Sequence, residues 1–217
     1  MNKVNIIIAF LFCMLHSIAF SQDAVDPKAM TLLNKSTTSF NNSNKSSKID
    51  FSCVVENTQS NKKQNLKGYL LLKGEKFKLS EAGVDTYFDG KTEYVYMPES
   101  AEVTVSEPGK EEVKKINPIL IITSYKSGYK MLYIGETTDN GNAVEIAELY
   151  PEDRKSPYAR ISISVNKSSM KPHAIKLQGK NGVNTTISVD KYTDMAIDDR
   201  QFAFDLTRKD IEIIDLR

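Results

Sequence analysis

Few residues in this chain have the type and spacing that chemistry needs. The histidines are His16 and His173. A zinc site takes three or four nitrogen, sulfur or oxygen ligands, and His173 has no second histidine or cysteine near it in sequence. Cys53 lies in IDFSCVVE, in step with Ile49, Phe51 and Val55. That alternation reads as a small buried hydrophobe rather than a nucleophile. Glu111-Glu112 and Asp198-Asp199 are paired carboxylates of the kind a glycosidase uses. Both fall in polar connections, where charges are ordinarily just solvated. GxSxG, GxGxxG and the P-loop pattern are absent. The reading is of a protein with no catalytic residue, no metal and no cofactor.

The best-patterned stretch is FDGKTEYVYMPESAEVTV, Phe88 to Val105. Asp-Gly between two alternating runs is a strong hairpin signal. Its tyrosines and valines offer surface and no reactive group.

The elements around it repeat that theme. Asp26-Pro27 predicts a helix start, and Ala29, Leu32, Leu33, Ser36 and Phe40 recur at helical spacing. Asn41 to Lys48 is a polar loop. Strands are predicted over Ile49 to Asn57, Asn65 to Leu72 after an NKKQ turn, Lys76 to Ser80, Asp85 to Phe88, Glu93 to Met97 and Glu102 to Ser106. Asn117-Pro118 opens a short, very apolar helix to about Lys126. Strands resume over Lys130 to Thr137, Ala143 to Tyr150, Tyr158 to Val165, Pro172 to Gly179 and Val183 to Tyr192. Phe202-Ala203-Phe204 and Ile211 to Asp215 complete the set.

Consecutive hairpins imply an antiparallel meander, and a large twisted sheet curls. The fold class is mainly β with α: an incomplete antiparallel β-barrel of about eleven strands, its concave face covered by helices. The inner face is expected to carry Phe51, Cys53 and Val55, then Leu70 and Leu72, then Tyr94 and Tyr96. Ile161 and Ile163, Ile175 and Leu177, and Ile187 and Val189 continue it. Leu32, Leu33, Ile119, Leu120 and Ile122 are expected on the covering helices as a lid.

The chain has 217 residues, 40% hydrophobic and 26% charged, an ordinary globular balance. Lys3, the apolar run Ile6 to Leu15 and Ala19-Phe20-Ser21 predict a leader over residues 1–21, cleaved before Gln22. Residues 22–217 then form one domain. Lys3 is the leader's only charge, so the remainder is formally neutral. A neutral chain lacks the basic excess that tracks nucleic-acid phosphates. Cys13 leaves with the leader, so Cys53 has no disulfide partner.

The order of several motifs resembles one family. Leu32-Leu33 sits on the first helix, and Gly68-Tyr69-Leu70 is followed by Lys76-Phe77-Lys78. Asp89-Gly90-Lys91-Thr92 precedes Tyr94-Val95-Tyr96, Pro98 and Val103-Thr104-Val105. Asn117-Pro118, Leu149-Tyr150-Pro151, Asn181-Gly182 and Phe202-Ala203-Phe204 follow in order. Together they resemble the LolA-like outer-membrane lipoprotein carriers. The resemblance implies a periplasmic carrier in a Gram-negative bacterium, taking acylated lipoproteins from the inner to the outer membrane. It implies an inner-membrane ABC-type release complex and an outer-membrane acceptor as partners, and a monomer. Tyr94 stands where many members have tryptophan. No arginine precedes Arg154, so an early-strand arginine latch for the lid has no counterpart. Related half-barrels that bind a partner or a lipidated signal without transport are the alternative reading.

Overall fold

Alternating apolar and polar residues leave the chain little choice but strands, and the turns between them set which strands meet. The structure is a computed structural model, describing residues 25–40, 46–109 and 125–217. After helix α1 (Pro27–Phe40) come β1 (Ser46–Asn57), β2 (Lys62–Lys73), β3 (Lys76–Glu81), β4 (Val84–Phe88), β5 (Glu93–Met97) and β6 (Glu102–Ser106). A second series follows: β7 (Tyr129–Asp139), β8 (Asn142–Pro151), β9 (Tyr158–Asn166), β10 (Pro172–Gly179) and β11 (Val183–Asp194), then β12 (Glu212–Asp215).

Each series is an antiparallel meander, and β1 pairs with β11 to join them in one open sheet. Its order is β12-β6-β5-β4-β3-β2-β1-β11-β10-β9-β8-β7. Only β12 departs from the antiparallel expectation, running parallel to β6. The predicted leader, residues 1–21, and most of the predicted helix from Pro118 lie outside the described residues. Tyr125 and Lys126, its expected end, form a turn. The NKKQ turn falls earlier than predicted, because Asn57 Oδ1 accepts from the Gln59 and Ser60 N–H groups and closes the loop there. Lys62, Lys63 and Gln64 are thereby released into β2.

Register makes one face apolar. Directly paired residues share a face, and Leu66, Cys53, Ile187, Ile175, Ile163 and Ala147 form one such row from β2 to β8. The alternate positions on β1 and β8–β11 carry Ser52, Ser188, Lys176, Ser162 and Glu148 and face the other way. Helix α1 packs on the apolar face over β7 and β8. Ala29, Leu32 and Leu33, spaced three and four residues apart, supply its buried stripe.

The opposite face of β2–β6 is not solvated like that of β8–β11. Residues 195–211 strap across it: Ile197 and Phe202 pack on Leu71, and Phe204 packs on Tyr94, Val103 and Val105. Phe202-Ala203-Phe204 is therefore not the predicted strand. Asp198 accepts from the Arg200 N–H and caps a 3-10 turn, Asp199–Phe202.

Gly68 seats the Phe51 ring. A Cβ there would lie 2.5 Å from the Ser80 carbonyl oxygen and 2.7 Å from Phe51 Cζ. Gly68→Ala should cost about 1–3 kcal/mol by overpacking, read as a lower urea midpoint. An unchanged midpoint would mean the ring moves aside freely.

Candidate functional site

The apolar face is where the predicted wall residues collect. Phe51, Cys53, Leu70, Leu72, Ile161, Ile163, Ile175, Leu177 and Ile187 are buried in one cluster with Leu32 and Leu33 of α1. Val55 and Val189 pack against it, partly buried. Tyr94 and Tyr96 do not join them. The loop Asp89 to Thr92 pairs Phe88 with Glu93, and Phe88 shares Phe77's face. Tyr94 and Tyr96 therefore point to the opposite side. There Tyr96 lies 4.8 Å from the Phe204 ring and the Arg208 guanidinium sits 5.2 Å from Tyr96. The predicted lid residues Ile119, Leu120 and Ile122 lie outside the described residues.

Among the described residues, clefts at two places border the apolar face. One, of about 410 Å³, runs beside α1 between Leu32, Lys28, Lys35, Tyr133, Glu145 and Met170. The other, of about 580 Å³, lies at the β1–β2 hairpin end, lined by Val55, Asn57, Lys62, Lys63, Gln64 and Val183.

Polar groups tie α1 to its surroundings. Asp26 caps its start, accepting from the Lys28 N–H at 2.8 Å and from the Tyr133 N–H of β7 at 3.0 Å. The Tyr125 hydroxyl donates to Asn34 Oδ1 at 2.6 Å. Ser39 Oγ donates to the Met170 carbonyl at 2.7 Å. Asp-Pro marks the cap in the sequence, but nothing there marks the tyrosine, whose partner is remote along the chain. Ser36 is fully buried on this helix, and among the described residues its Oγ has no hydrogen-bond partner.

The residues with chemical potential are otherwise engaged. Burial pushes the Cys53 thiol up to about 12, with the Glu81 carboxylate adding to the effect, so the thiolate is suppressed. His173 Nε2 is 3.2 Å from Asp139 at the sheet's edge. Asp199 bridges Lys73 and Lys76, each at 2.7 Å. Glu111 and Glu112 lie outside the described residues. Among the described residues, no three His, Cys, Asp or Glu side chains are grouped to hold a metal ion.

The described residues thus form an open, mainly antiparallel sheet with a helix packed on its apolar face. The chain belongs to the family described as outer membrane lipoprotein carrier protein LolA, which matches residues 18–181. Among solved structures it is similar to an uncharacterized conserved protein from Thermus thermophilus. Identity is 10% and the TM-score 0.58, with 87% of this chain and 99% of that one covered. A LolA-superfamily protein from Nitrosomonas europaea is 12% identical, with a TM-score of 0.43 over 82% of this chain and 98% of that one. A lipoprotein-sorting domain from Vibrio parahaemolyticus is 12% identical, with a TM-score of 0.44 over 81% and 96%. No curated protein matches the chain.

Asp26 also gives the helix a pH signature. The Tyr133 N–H lowers its carboxyl below the ordinary value of 3.8, against desolvation and with help from the Lys28 and Ala29 N–H groups. A depressed carboxyl contributes stability above its unfolded pKa and loses it as pH falls through the folded one. Asp26→Ala should therefore cost about 1 kcal/mol at neutral pH. Urea titrations should show the gap narrowing below pH 3.8. A pH-independent gap would assign the loss to packing alone.

Proposed function

We propose that the helix-covered face binds the acyl chains of lipoproteins, and that the protein carries them across the periplasm from the inner to the outer membrane. Export by a leader over residues 1–21 belongs to this reading, as do an ABC-type release complex and an outer-membrane acceptor. One observation carries it: in a chain of the outer-membrane lipoprotein carrier family, an apolar surface runs unbroken from β2 to β8. Family membership and fold together support a role in binding lipid or lipoprotein rather than transforming it.

Magnitudes make the exchange feasible. Each buried methylene contributes ~0.8 kcal/mol, so one acyl chain of ordinary length amounts to about 10 kcal/mol. Helix α1 covers the β7–β8 end of the face with Ala29, Leu32 and Leu33, whose burial is worth about 5 kcal/mol. The unpartnered Ser36 hydroxyl subtracts about 1–3 kcal/mol from that. A single chain therefore outweighs the helix, while the helix still offsets part of the cargo's binding and leaves release possible.

Ser36→Ala removes the unpartnered hydroxyl. It should raise stability by about 1 kcal/mol and weaken uptake of a triacylated peptide, because α1 then yields less readily. Native mass spectrometry of protein taken from its own periplasm should show bound acylated cargo. In vitro, the triacylated peptide should bind and its unacylated form should not. Equal binding of the two peptides would overturn the proposal.

A further inference from the structure

The two ends of α1 are held by different kinds of bond. At its start the ties to the sheet run through main chain. Val25 bridges Met131 in parallel, and the Asp26 N–H donates to the Met131 carbonyl at 3.2 Å. The Tyr133 N–H donates to Asp26 Oδ2 at 3.0 Å. Val25 and Asp26 thus prolong the sheet beside β7, and Pro27 begins the helix from that anchorage. Pulling this end away would leave β7 main-chain groups without partners on a sheet edge.

Toward its C-terminal end the helix is held by side chains. The buried Tyr125 donates its hydroxyl hydrogen to Asn34 Oδ1 at 2.6 Å, and the Thr37 side chain reaches the same hydroxyl. Asn34 is exposed, so water can replace the tyrosine there. Ser39 Oγ donates to the Met170 carbonyl at 2.7 Å, in the turn between β9 and β10. The Ser36 carbonyl lies 2.7 Å from the same Oγ as a second acceptor, so Ser39 keeps a partner on leaving Met170. The buried Ser36 hydroxyl belongs to this half too, and lifting the half gives it water.

The cleft beside α1 lies along this path. Leu32 in its lining belongs to the buried cluster, and Met170 packs against that cluster. Moving the C-terminal half away from Met170 widens an existing groove directly over hydrocarbon.

We infer that α1 opens as a hinged flap, pivoting where Val25 and Asp26 join β7, with the Tyr125 hydroxyl as the latch on its C-terminal half. The inference rests on the acyl-binding reading above and names how that site is regulated. It gives the flap a polar latch in a chain where no arginine precedes Arg154. It also fixes a direction: acyl chains enter past Met170, and the start of the helix stays on β7.

The test is uptake of the triacylated peptide by two stapled variants, each read oxidised against its own reduced form. Val25→Cys with Met131→Cys staples the pivot, and Ser39→Cys with Met170→Cys staples the far end. Cys53 is buried with its thiolate suppressed and does not compete. Oxidation of the far-end pair should slow uptake about tenfold or more, and oxidation of the pivot pair should change it less than about twofold. Tyr125→Phe, which needs no staple, should speed uptake about three- to tenfold while lowering stability. A tyrosine that merely packs would lose stability without faster uptake. Blocked uptake with the pivot stapled, or unhindered uptake with the far end stapled, would overturn the hinge. Unchanged or slower uptake by Tyr125→Phe would overturn the latch. No uptake by wild type would overturn the flap together with the acyl-binding reading beneath it.

Discussion

The pairing of β1 with β11 holds two meanders in one sheet, and every other feature depends on its register. A shift of one residue would turn Phe51, Cys53 and Val55 to the other side and break the apolar row that crosses from β2 to β8. The register is pinned by an irregularity between Asp50 and Phe51, where β11 carries an extra residue. That bulge keeps Ile49 opposite Tyr192 and Phe51 opposite Val189, so both ends of the strand serve the same face. The Tyr192 hydroxyl donates to the Pro172 carbonyl at 2.8 Å and ties β11 to the start of β10.

The sheet has two halves with different duties. On β8–β11 one face is apolar and the other carries Ser, Lys and Glu, as expected of strands with water on one side. On β2–β6 both faces are covered, because the strap from residue 195 onward fills the second with Phe202 and Phe204. The strap ends in β12, which protects the free edge of β6. Stability from the strap is separate from the helix-covered face, so that face is free to be judged by its ligand.

This division explains what is legible in the sequence. ISISV and AIKL alternate apolar with polar, and their wall residues lie where alternation puts them. Tyr94 and Tyr96 face away from the expected wall, because in EYVYM both parities are apolar or aromatic and alternation cannot choose between them. A residue signal does exist: the four residues between Phe88 and Glu93 make an even-numbered loop, which keeps its flanking pair on one face and sends Tyr94 to the other. The parallel pairing of β12 and the Tyr125 tether to Asn34 depend on contacts remote in sequence, which no local pattern encodes. Asp198-Asp199, a carboxylate pair in the sequence, serves in the fold as a cap and a bridge to two lysines.

The account stands on hydrocarbon lying against the face that α1 covers. The most direct measurement is photo-crosslinking of a lipidated peptide bearing a diazirine midway along one acyl chain, with adducts mapped by mass spectrometry. The account predicts adducts on Ile163, Ile175, Ile187 and Leu32, competed away by unlabelled lipidated peptide. Adducts confined to Tyr96, Phe204 and their neighbours, or none that compete, would contradict it.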